Sequence, residues 1–256
     1  MAFRASKSVH IVFPPDNRQQ VIETRVFPYS AIGRLTMLFP NGNLYSGTGT
    51  LVDNWHVLTA AHNLWGKDMG GNGFATKVTF SAAQNRNNVP FGQISATRAW
   101  ITEDYQTTAP PSPLLENDDV GDCTKYIWDF GLVRLSQAVQ PDAGYCSFKS
   151  YDDKTLTNNN IRITGYPGDQ TAGTMWTATG RVTLSNDDDL LFYNKISTYK
   201  GQSGAGLMIP DNNTFVICGI HVAGSTKLNT NFAVRLNDTN VATIKQWQSS
   251  PVIAQT

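Results

Sequence analysis

The chain has 256 residues, enough for one large domain or two small ones with a substantial core. Its 20 basic and 20 acidic residues give a formal net charge of zero, so there is no electrostatic reason to expect nucleic acid or an anionic membrane surface as a partner. No apolar run approaches the roughly 18–20 residues of a transmembrane helix.

Short β-prone runs separated by turn residues fill most of the chain. The first hairpin signal is Asn41-Gly42, which stands between two such runs. Further runs rich in β-branched and apolar residues lie at 47–52, 57–58, 78–80, 131–135, 161–164, 180–184, 190–193, 207–209 and 215–220. Many short strands without βαβ alternation favour antiparallel barrels, and the sequence therefore predicts an all-β protein.

The remaining segments are predicted to be loops, apart from one terminal helix. A long surface loop is expected at 104–122, and the connection between two barrels near 136–146. Asp187-Asp188-Asp189 lacks the spacing of a calcium loop, so we expect a solvated turn and no bound metal. After a helix cap at Asp238 or Thr239, apolar residues recur every three positions, and this stripe is expected to pack on a barrel: Val241, Ile244 and Trp247.

Three cysteines do not decide the redox compartment, because the number is small and odd. Cys123 and Cys146 bracket Asp129 and could close a loop through a disulfide. Cys218 lies in an apolar run, where burial predicts an unreactive thiol rather than a nucleophile.

One glycine-rich stretch carries a candidate nucleophile. In Gly201-Gln202-Ser203-Gly204, the glycines permit a tight turn and a close approach of the backbone to a substrate. Such a turn can aim the N–H groups of Gly201 and Ser203 at one point beside the serine hydroxyl, as an oxyanion hole requires. The alternative interpretation is a plain hairpin turn. It is preferred unless a candidate base and a candidate acid occur elsewhere in the chain.

A candidate base and a candidate acid are both present upstream. His62 follows small residues at a strand end, where its ring can reach a neighbour. Asp129 precedes an apolar strand, where burial demands a hydrogen-bond partner such as an imidazole N–H. The order His62, Asp129, Ser203 matches the chymotrypsin-type triad. Singly, these residues could be a core histidine, a strand-end cap and a turn serine, but their joint occurrence favours a catalytic triad.

Longer motifs resemble one family. They are Pro-Tyr-Ser-Ala-Ile at 28–32, Ala-Ala-His at 60–62, Ile-Thr-Gly-Tyr-Pro-Gly-Asp at 163–169, Thr-Ala-Gly-Thr-Met-Trp at 171–176 and Thr-Tyr-Lys-Gly-Gln-Ser-Gly at 198–204. From about Asp16 to Trp247, the chain resembles the glutamyl endopeptidases of the staphylococcal and bacillus type, within the chymotrypsin-like serine proteases. The Gly-Tyr-Pro-Gly-Asp run is the most specific, because general protease chemistry does not require it.

The resemblance implies an all-β fold of two packed antiparallel six-stranded β-barrels, chymotrypsin-like, with a C-terminal helix. We assign residues 1–25 to an N-terminal segment, 26–137 to the first barrel, 138–237 to the second barrel with the specificity pocket, and 238–256 to the C-terminal helix and tail. The chain departs from the family at Gly204-Ala205-Gly206, where a proline is usual, which predicts a looser backbone after the nucleophile.

The residues around Ser203 indicate a specificity pocket. Thr198 stands where chymotrypsin-like proteases line this pocket, and the run His221-Val222-Ala223-Gly224 is expected beside the substrate backbone. A trypsin-like pocket needs a carboxylate, but Ser197 stands at that position. A hydroxyl and an imidazole can instead hydrogen-bond a substrate carboxylate, with added charge if His221 is protonated. The resemblance implies these roles for Thr198 and His221; the alternative is a structural strand histidine.

The resemblance further implies a secreted serine endopeptidase that cleaves protein or peptide substrates after Glu and less well after Asp, as a monomer without a cofactor. It places a mature amino terminus near Val12, with residues 1–11 left from a pro-segment, and no signal peptide is visible. Two alternatives stay open: a chymotrypsin-like serine protease of another specificity, and a catalytically silent protein that only binds a partner. The complete triad argues against the second.

Overall fold

The structure is a computed structural model that describes residues 10–109, 122–185, 189–212 and 214–251. Most of the loop expected at 104–122 lies outside the described residues, as do Asp187 and Asp188 of the acidic run and nearly all of the expected pro-segment. The domain boundaries assigned from the sequence stay a prediction.

Fifteen β-strands and three α-helices lie in the described residues. The earlier strands are β1 Gln19–Val21, β2 Ile32–Leu38, β3 Leu44–Leu51, β4 His56–Thr59, β5 Lys77–Ala82, β6 Ile94–Ile101, β7 Gly131–Leu135 and β8 Ser147–Phe148. The later strands are β9 Ile161–Gly165, β10 Met175–Gly180, β11 Thr183–Leu184, β12 Leu190–Tyr193, β13 Gly206–Asp211, β14 Thr214–Ser225 and β15 Thr230–Arg235. The helices are α1 Glu103–Thr108, α2 Asp153–Asn158 and α3 Asp238–Gln248.

Six strands close into the first barrel, in the order β2-β3-β4-β7-β6-β5. The alternation along β2 shows how its sequence suits a barrel wall. Leu35 and Met37 are fully buried, whereas Arg34 and Thr36 are only partly buried, so successive side chains point to opposite faces. Closure pairs the edges of the sheet and leaves no long row of free backbone groups.

The second sheet has nine strands. Eight follow the order β1-β10-β9-β13-β14-β15-β12-β11, and β8 runs parallel to β14. The all-β class with a C-terminal helix, expected from the sequence, is confirmed. The sheet holds more than the six strands expected for a second barrel because three short strands, β1, β8 and β11, extend it.

The C-terminal helix packs on the first barrel. Val241 and Ile244 are buried, and the ring of Trp247 lies 5.7 Å from the ring of Phe130, which confirms the predicted apolar stripe. The cap differs from the expectation: the side chain of Asn237 accepts the Asn240 N–H at 2.9 Å. Asp238 is already in the first turn, where its charge favours the helix dipole.

Two further helices are short and were not expected. α1 occupies the start of the predicted loop at 104–122, and α2 follows β8. In α1, the Thr102 hydroxyl accepts the Tyr105 N–H at 3.0 Å, and acidic residues occupy the first turn. A hydroxyl cap followed by acidic residues stabilises such a helix even where no apolar periodicity in the sequence predicts it.

None of the three cysteines forms a disulfide, and all are buried. The disulfide considered between Cys123 and Cys146 is therefore absent. Cys218 is buried as predicted, and burial raises its pKa to about 12, so the thiolate is not accessible at ordinary pH.

An ion cluster around one buried arginine ties the N-terminal part of the chain to the second sheet. The Arg18 side chain is only 1% exposed, and its guanidinium contacts Asp169 through two bonds of 2.9 and 2.6 Å. Asp16 contacts the same guanidinium at 2.8 Å. Asp169 closes the Gly-Tyr-Pro-Gly-Asp motif, so a bidentate salt bridge gives this motif a structural role.

We expect Arg18→Met to lower the free energy of unfolding by about 1–3 kcal/mol, because it leaves two partly exposed carboxylates facing each other without a cation. Arg25→Met is the matched control. Arg25 is 65% exposed and lies 3.6 Å from Asp142, so its loss should cost less than about 1 kcal/mol. Urea unfolding of both variants measures the difference. Equal losses would show that the Arg18 cluster contributes no more than a surface pair.

Candidate active site

His62 and Asp129 form a fully buried pair at one end of the first barrel. His62 lies in the one-turn 3₁₀ helix Ala61–Asn63 after β4, and Asp129 lies just before β7, which pairs with β4. The Asp129 carboxylate accepts from His62 Nδ1 at 2.6 Å and from the His62 backbone N–H at 2.9 Å. These two contacts orient the ring and hold the proton on Nδ1. Nε2 is buried without a hydrogen-bond partner in the described part of the chain.

The turn that carries Ser203 belongs to the second sheet but is bound to the first barrel. The Ser203 carbonyl accepts the Thr48 N–H and a side-chain N–H of Asn63, both at 2.9 Å. The Thr48 hydroxyl donates to the Gly201 carbonyl at 2.8 Å and accepts the Tyr166 N–H at 3.1 Å. We call these four hydrogen bonds the inter-barrel bridge.

Both turn glycines adopt backbone angles that other residues resist, with φ of 98° at Gly201 and 87° at Gly204. A Cβ atom on Gly204 would lie 2.1 Å from the Thr59 hydroxyl and 2.3 Å from the Thr48 carbonyl oxygen. The turn can therefore approach β3 this closely only at a glycine. The N–H groups of Gly201 and Ser203, predicted to bind an oxyanion, donate to no acceptor among the residues described.

The backbone after Ser203 is fastened to β14, so the looser geometry expected there is not found. The Gly204 N–H donates to the His221 carbonyl at 2.8 Å, and the His221 N–H donates to the Ala205 carbonyl at 2.9 Å. Val222 lies at a bulge in the pairing of β14 with β15, and its carbonyl is 3.4 Å from Ser203 Oγ. The nucleophile candidate and the pocket histidine are thus one rigid unit.

His221 and Thr198 are both fully buried. His221 Nδ1 is hydrogen-bonded to the Tyr193 hydroxyl and lies 3.2 Å from the Phe232 carbonyl. Burial lowers the pKa of His221 to about 3; the Phe232 carbonyl opposes this shift, and nearby His62 adds to it. His221 is therefore neutral at ordinary pH, unlike the protonated form considered from the sequence.

The hydroxyl of Thr198 is buried without a hydrogen-bond partner among the described residues. Buried hydroxyls are nearly always paired, and an unpaired one costs about 1–3 kcal/mol. Two polar atoms of the predicted site, Thr198 Oγ1 and His62 Nε2, share this property. A buried site whose donors and acceptors have no partner among the described residues is suited to a polar ligand.

The N-terminal segment enters this pocket, which the sequence reasoning missed. His10 Nδ1 lies 3.0 Å from His221 Nε2, and His10 Nε2 lies 3.4 Å from Ser203 Oγ. Burial lowers the pKa of His10 well below its usual value, and neighbouring His221 lowers it further. The neutral His10 ring thus stands between Ser203 and His221, and a substrate side chain cannot reach His221 Nε2 while it remains there.

Residues after His10 hold the segment in place. The Asn231 side chain accepts the Ile11 N–H and donates to the Ile11 carbonyl, both at 2.8 Å. The same carbonyl accepts the Thr198 N–H at 3.1 Å, and the Phe13 N–H donates to the Ser197 hydroxyl at 3.0 Å. No local sequence pattern predicts these contacts. The one available signal was the presence of His10 itself, since the chain has only four histidines.

The candidate triad is therefore only partly connected in this structure. His62 and Asp129 are joined, but Ser203 Oγ contacts His10 and the Val222 carbonyl, and His62 Nε2 has no partner in the described part of the chain. In residues 10–109, 122–185, 189–212 and 214–251, no three His, Cys, Asp or Glu side chains come together in a way that could hold a metal ion. None of the helices described is long and apolar enough to cross a membrane.

Comparisons with known proteins agree with this fold. No family model matches the chain. A glutamyl endopeptidase of Bacillus licheniformis is 30% identical over 202 residues, which cover 79% of this chain and 56% of that protein. An extracellular metalloprotease of Bacillus subtilis is 25% identical over 91% of this chain and 68% of its own length. The chain thus spans little more than half the length of the Bacillus licheniformis protein.

A solved structure of a Glu endopeptidase in complex with MPD superimposes with a TM-score of 0.75 at 24% identity, over 94% of this chain and 100% of that one. This likeness shows that the fold is that of the chymotrypsin-like serine proteases, as expected. The Bacillus licheniformis relative confirms the resemblance to the glutamyl endopeptidases.

We expect Thr48→Val to lower the free energy of unfolding by about 1–3 kcal/mol, because it leaves the Gly201 carbonyl and the Tyr166 N–H without their partner. Thr50→Val, on the same strand, is the control. The Thr50 hydroxyl is buried and has no hydrogen-bond partner among the residues that the structure describes, so its removal should be neutral or stabilising. Urea unfolding distinguishes the two; a Thr50 loss as large as that at Thr48 would contradict the importance of the inter-barrel bridge.

Proposed function

We propose that this protein is a serine endopeptidase that cleaves peptide bonds after Glu and less well after Asp. The observation that carries the proposal is the buried His62–Asp129 pair, whose unpartnered Nε2 lies in the same site as Ser203. A buried charged pair is weak evidence for stability, since apolar residues of similar volume often serve as well. An imidazole nitrogen that no described residue engages, close to the His10 ring that contacts Ser203 Oγ, has a chemical use, namely general base catalysis.

In the proposed reaction, Ser203 Oγ attacks the carbonyl carbon of the substrate after His10 has left the pocket. His62 Nε2 takes the hydroxyl proton and later gives it to the leaving amine. Asp129 keeps the ring in the tautomer that leaves Nε2 unprotonated, and it stabilises the imidazolium that forms. Water then repeats the sequence on the acyl-enzyme, with His62 again acting as the base.

The oxyanion that forms on the substrate would be bound by the N–H groups of Gly201 and Ser203. Both groups lack an internal acceptor among the residues described, and the inter-barrel bridge holds the carbonyls of the same two residues. Donors that are already in place need no reorganisation as charge develops, which is the main source of such stabilisation.

The preference for Glu would come from Thr198 and His221. A substrate carboxylate that replaces His10 would meet two buried groups, His221 Nε2 and the Thr198 hydroxyl, which has no partner among the described residues. Neutral His221 would act as a hydrogen-bond donor, and the arriving negative charge would in turn favour its protonated form. A glutamine side chain has the same shape but no charge, so these hydrogen-bond donors would stabilise its binding less.

The substrate backbone would lie along the end of β14. β13 pairs with β14 only as far as Ile220, whereas β15 pairs with it to Ser225. One edge of the stretch Val222-Ala223-Gly224 is therefore without a partner strand in the described residues. An extended peptide can add to such an edge through backbone hydrogen bonds.

We further infer that the protein acts outside the cell on protein or peptide substrates, as a monomer. This rests on the resemblance to glutamyl endopeptidases and on the name of the extracellular Bacillus subtilis relative. A chymotrypsin-like serine protease of another specificity is the second candidate, since it would use the same His62, Asp129 and Ser203. The pocket assay below separates the two.

We expect His10→Ala to raise kcat/KM for a Glu peptide by about tenfold or more, because the variant loses the ring that occupies the pocket and its two hydrogen bonds. Initial rates are measured on full chains, with mass spectrometry to verify that the N-terminal residues are intact. Ile22→Ala, an exposed residue of the same N-terminal stretch, should leave the rate unchanged. A rate for His10→Ala at or below that of the natural chain would contradict the blocking role.

We expect His221→Ala, in the His10→Ala background, to lower kcat/KM for a Glu peptide by roughly tenfold to a few hundredfold and to lower it far less for the matching Gln peptide. Thr198→Val should act in the same direction but more weakly, because it removes a neutral donor. The assay compares both peptides on all three chains.

Ser203→Ala provides the blank for this assay and should remove nearly all activity. More than a few per cent of residual activity would show that Ser203 is not the nucleophile. Equal rates on the Glu and Gln peptides before any pocket substitution would reject the Glu specificity and leave the second candidate.

A further inference from the structure

The Nδ1 atom of His221 has two oxygen neighbours with different chemistry. One is the Tyr193 hydroxyl on β12, and the other is the Phe232 carbonyl on β15, 3.2 Å away. All three residues are buried. A carbonyl oxygen can only accept a hydrogen bond, whereas a phenol can donate or accept. The position of the proton on His221 therefore depends on which of these oxygens engages Nδ1.

Only one of the two neutral tautomers of His221 satisfies the Tyr193 hydroxyl. Burial raises the pKa of Tyr193 well above its usual value, so the hydroxyl keeps its proton. Among the described residues, His221 Nδ1 is the only hydrogen-bond partner of that hydroxyl. If Nδ1 carried a proton, the Tyr193 O–H would be buried without an acceptor among the described residues. Leaving a buried donor unpaired is energetically unfavourable. When the Tyr193 O–H donates to His221 Nδ1, that nitrogen carries no proton. The single N–H proton of the neutral His221 ring is then on Nε2.

The contacts of His10 are consistent with this direction. Tyr193 O–H donates to His221 Nδ1, His221 Nε2–H donates to His10 Nδ1 at 3.0 Å, and His10 Nε2–H donates to Ser203 Oγ at 3.4 Å. Each proton in this series has one acceptor, and each ring remains neutral, as burial of both imidazoles favours.

We propose that Tyr193 is a positioning residue for Glu specificity: its hydroxyl holds His221 in the Nε2–H tautomer, so that the pocket presents a donor, not a lone pair, to the substrate side chain. The inference rests on the proposed role of His221 in binding the Glu carboxylate. Tyr193 itself does not touch the substrate.

Removing the hydroxyl should reverse the tautomer. In Tyr193→Phe, the Phe232 carbonyl is the remaining oxygen beside Nδ1, and it can only accept, so the proton moves to Nδ1. Nε2 then presents a lone pair, which repels a carboxylate but accepts the side-chain N–H of glutamine. The substitution therefore weakens binding of the Glu side chain of a substrate without weakening binding of a Gln side chain.

The first test measures kcat/KM for matched Glu and Gln peptides in the His10→Ala background. We expect Tyr193→Phe to lower the Glu-to-Gln ratio by about tenfold to a hundredfold, with the rate on Gln unchanged or raised. Tyr45→Phe is the control, because it removes a buried tyrosine hydroxyl in the first barrel and should leave the ratio unchanged. An unchanged ratio in Tyr193→Phe, or an equal loss on both peptides, overturns the proposal.

The second test observes the tautomer without catalysis. Long-range ¹H–¹⁵N spectra of the Ser203→Ala chain show which nitrogen of each histidine carries a proton, and His221→Ala assigns the signal among the four histidines. We expect protonated Nε2 and bare Nδ1 in the natural Tyr193 context, and the reverse after Tyr193→Phe. A proton on Nδ1 while Tyr193 is present overturns the proposal, even if Tyr193→Phe fails to fold.

The two tests separate this inference from the proposed function. If the chain does not prefer Glu before substitution, the specificity assigned to the pocket is wrong, whatever the spectra show. If it prefers Glu and the spectra show Nδ1–H, the pocket assignment stands and the role of Tyr193 is wrong.

Discussion

The site depends on the inter-barrel bridge. His62 and Asp129 are positioned by strands of the first barrel, and Ser203 by a turn of the second sheet. Without a direct bond between the two halves, the distance between His62 and Ser203 would follow every shift in packing. Thr48 and Asn63 restrain it by binding backbone carbonyls of the turn, and Gly204 permits the close approach because it has no side chain.

Burial decides the chemistry of the imidazoles in the pocket. It keeps His10 and His221 neutral, so their hydrogen bonds depend on which nitrogen of each ring carries the proton. It also makes an empty pocket unfavourable, since bare donors and acceptors would lose their hydrogen bonds to water. The neutral His10 ring relieves this by pairing with His221 and Ser203, while Thr198 Oγ1 and His62 Nε2 remain unpaired among the described residues. One physical cause thus accounts for the neutral histidines and for the occupied pocket.

Much of the architecture was predictable because it rests on local patterns. Short runs of β-branched and apolar residues between turns indicated the strands, a three-residue repeat indicated α3, and the order of His62, Asp129 and Ser203 indicated one site. Other details were decided only by the structure. Asn237 caps α3 instead of Asp238 or Thr239, the cysteines form no disulfide where the sequence left their pairing open, and three short strands extend the second sheet. Each of these details depends on which groups meet at a helix terminus or a sheet edge. Several residues there have nearly equal local preferences for the same position.

The sequence by itself determined the fold class and the identity of the candidate residues, because periodicity and short motifs are properties of neighbouring positions. Tertiary structure alone decided how those residues are connected. His10 and Ser203 are 193 positions apart, and Tyr193, His221 and Phe232 come from three different strands. Their contacts, and the burial that makes His221 neutral, arise only when distant segments pack and exclude water. No pattern in one stretch of chain carries that information, because desolvation is a property of the assembled core.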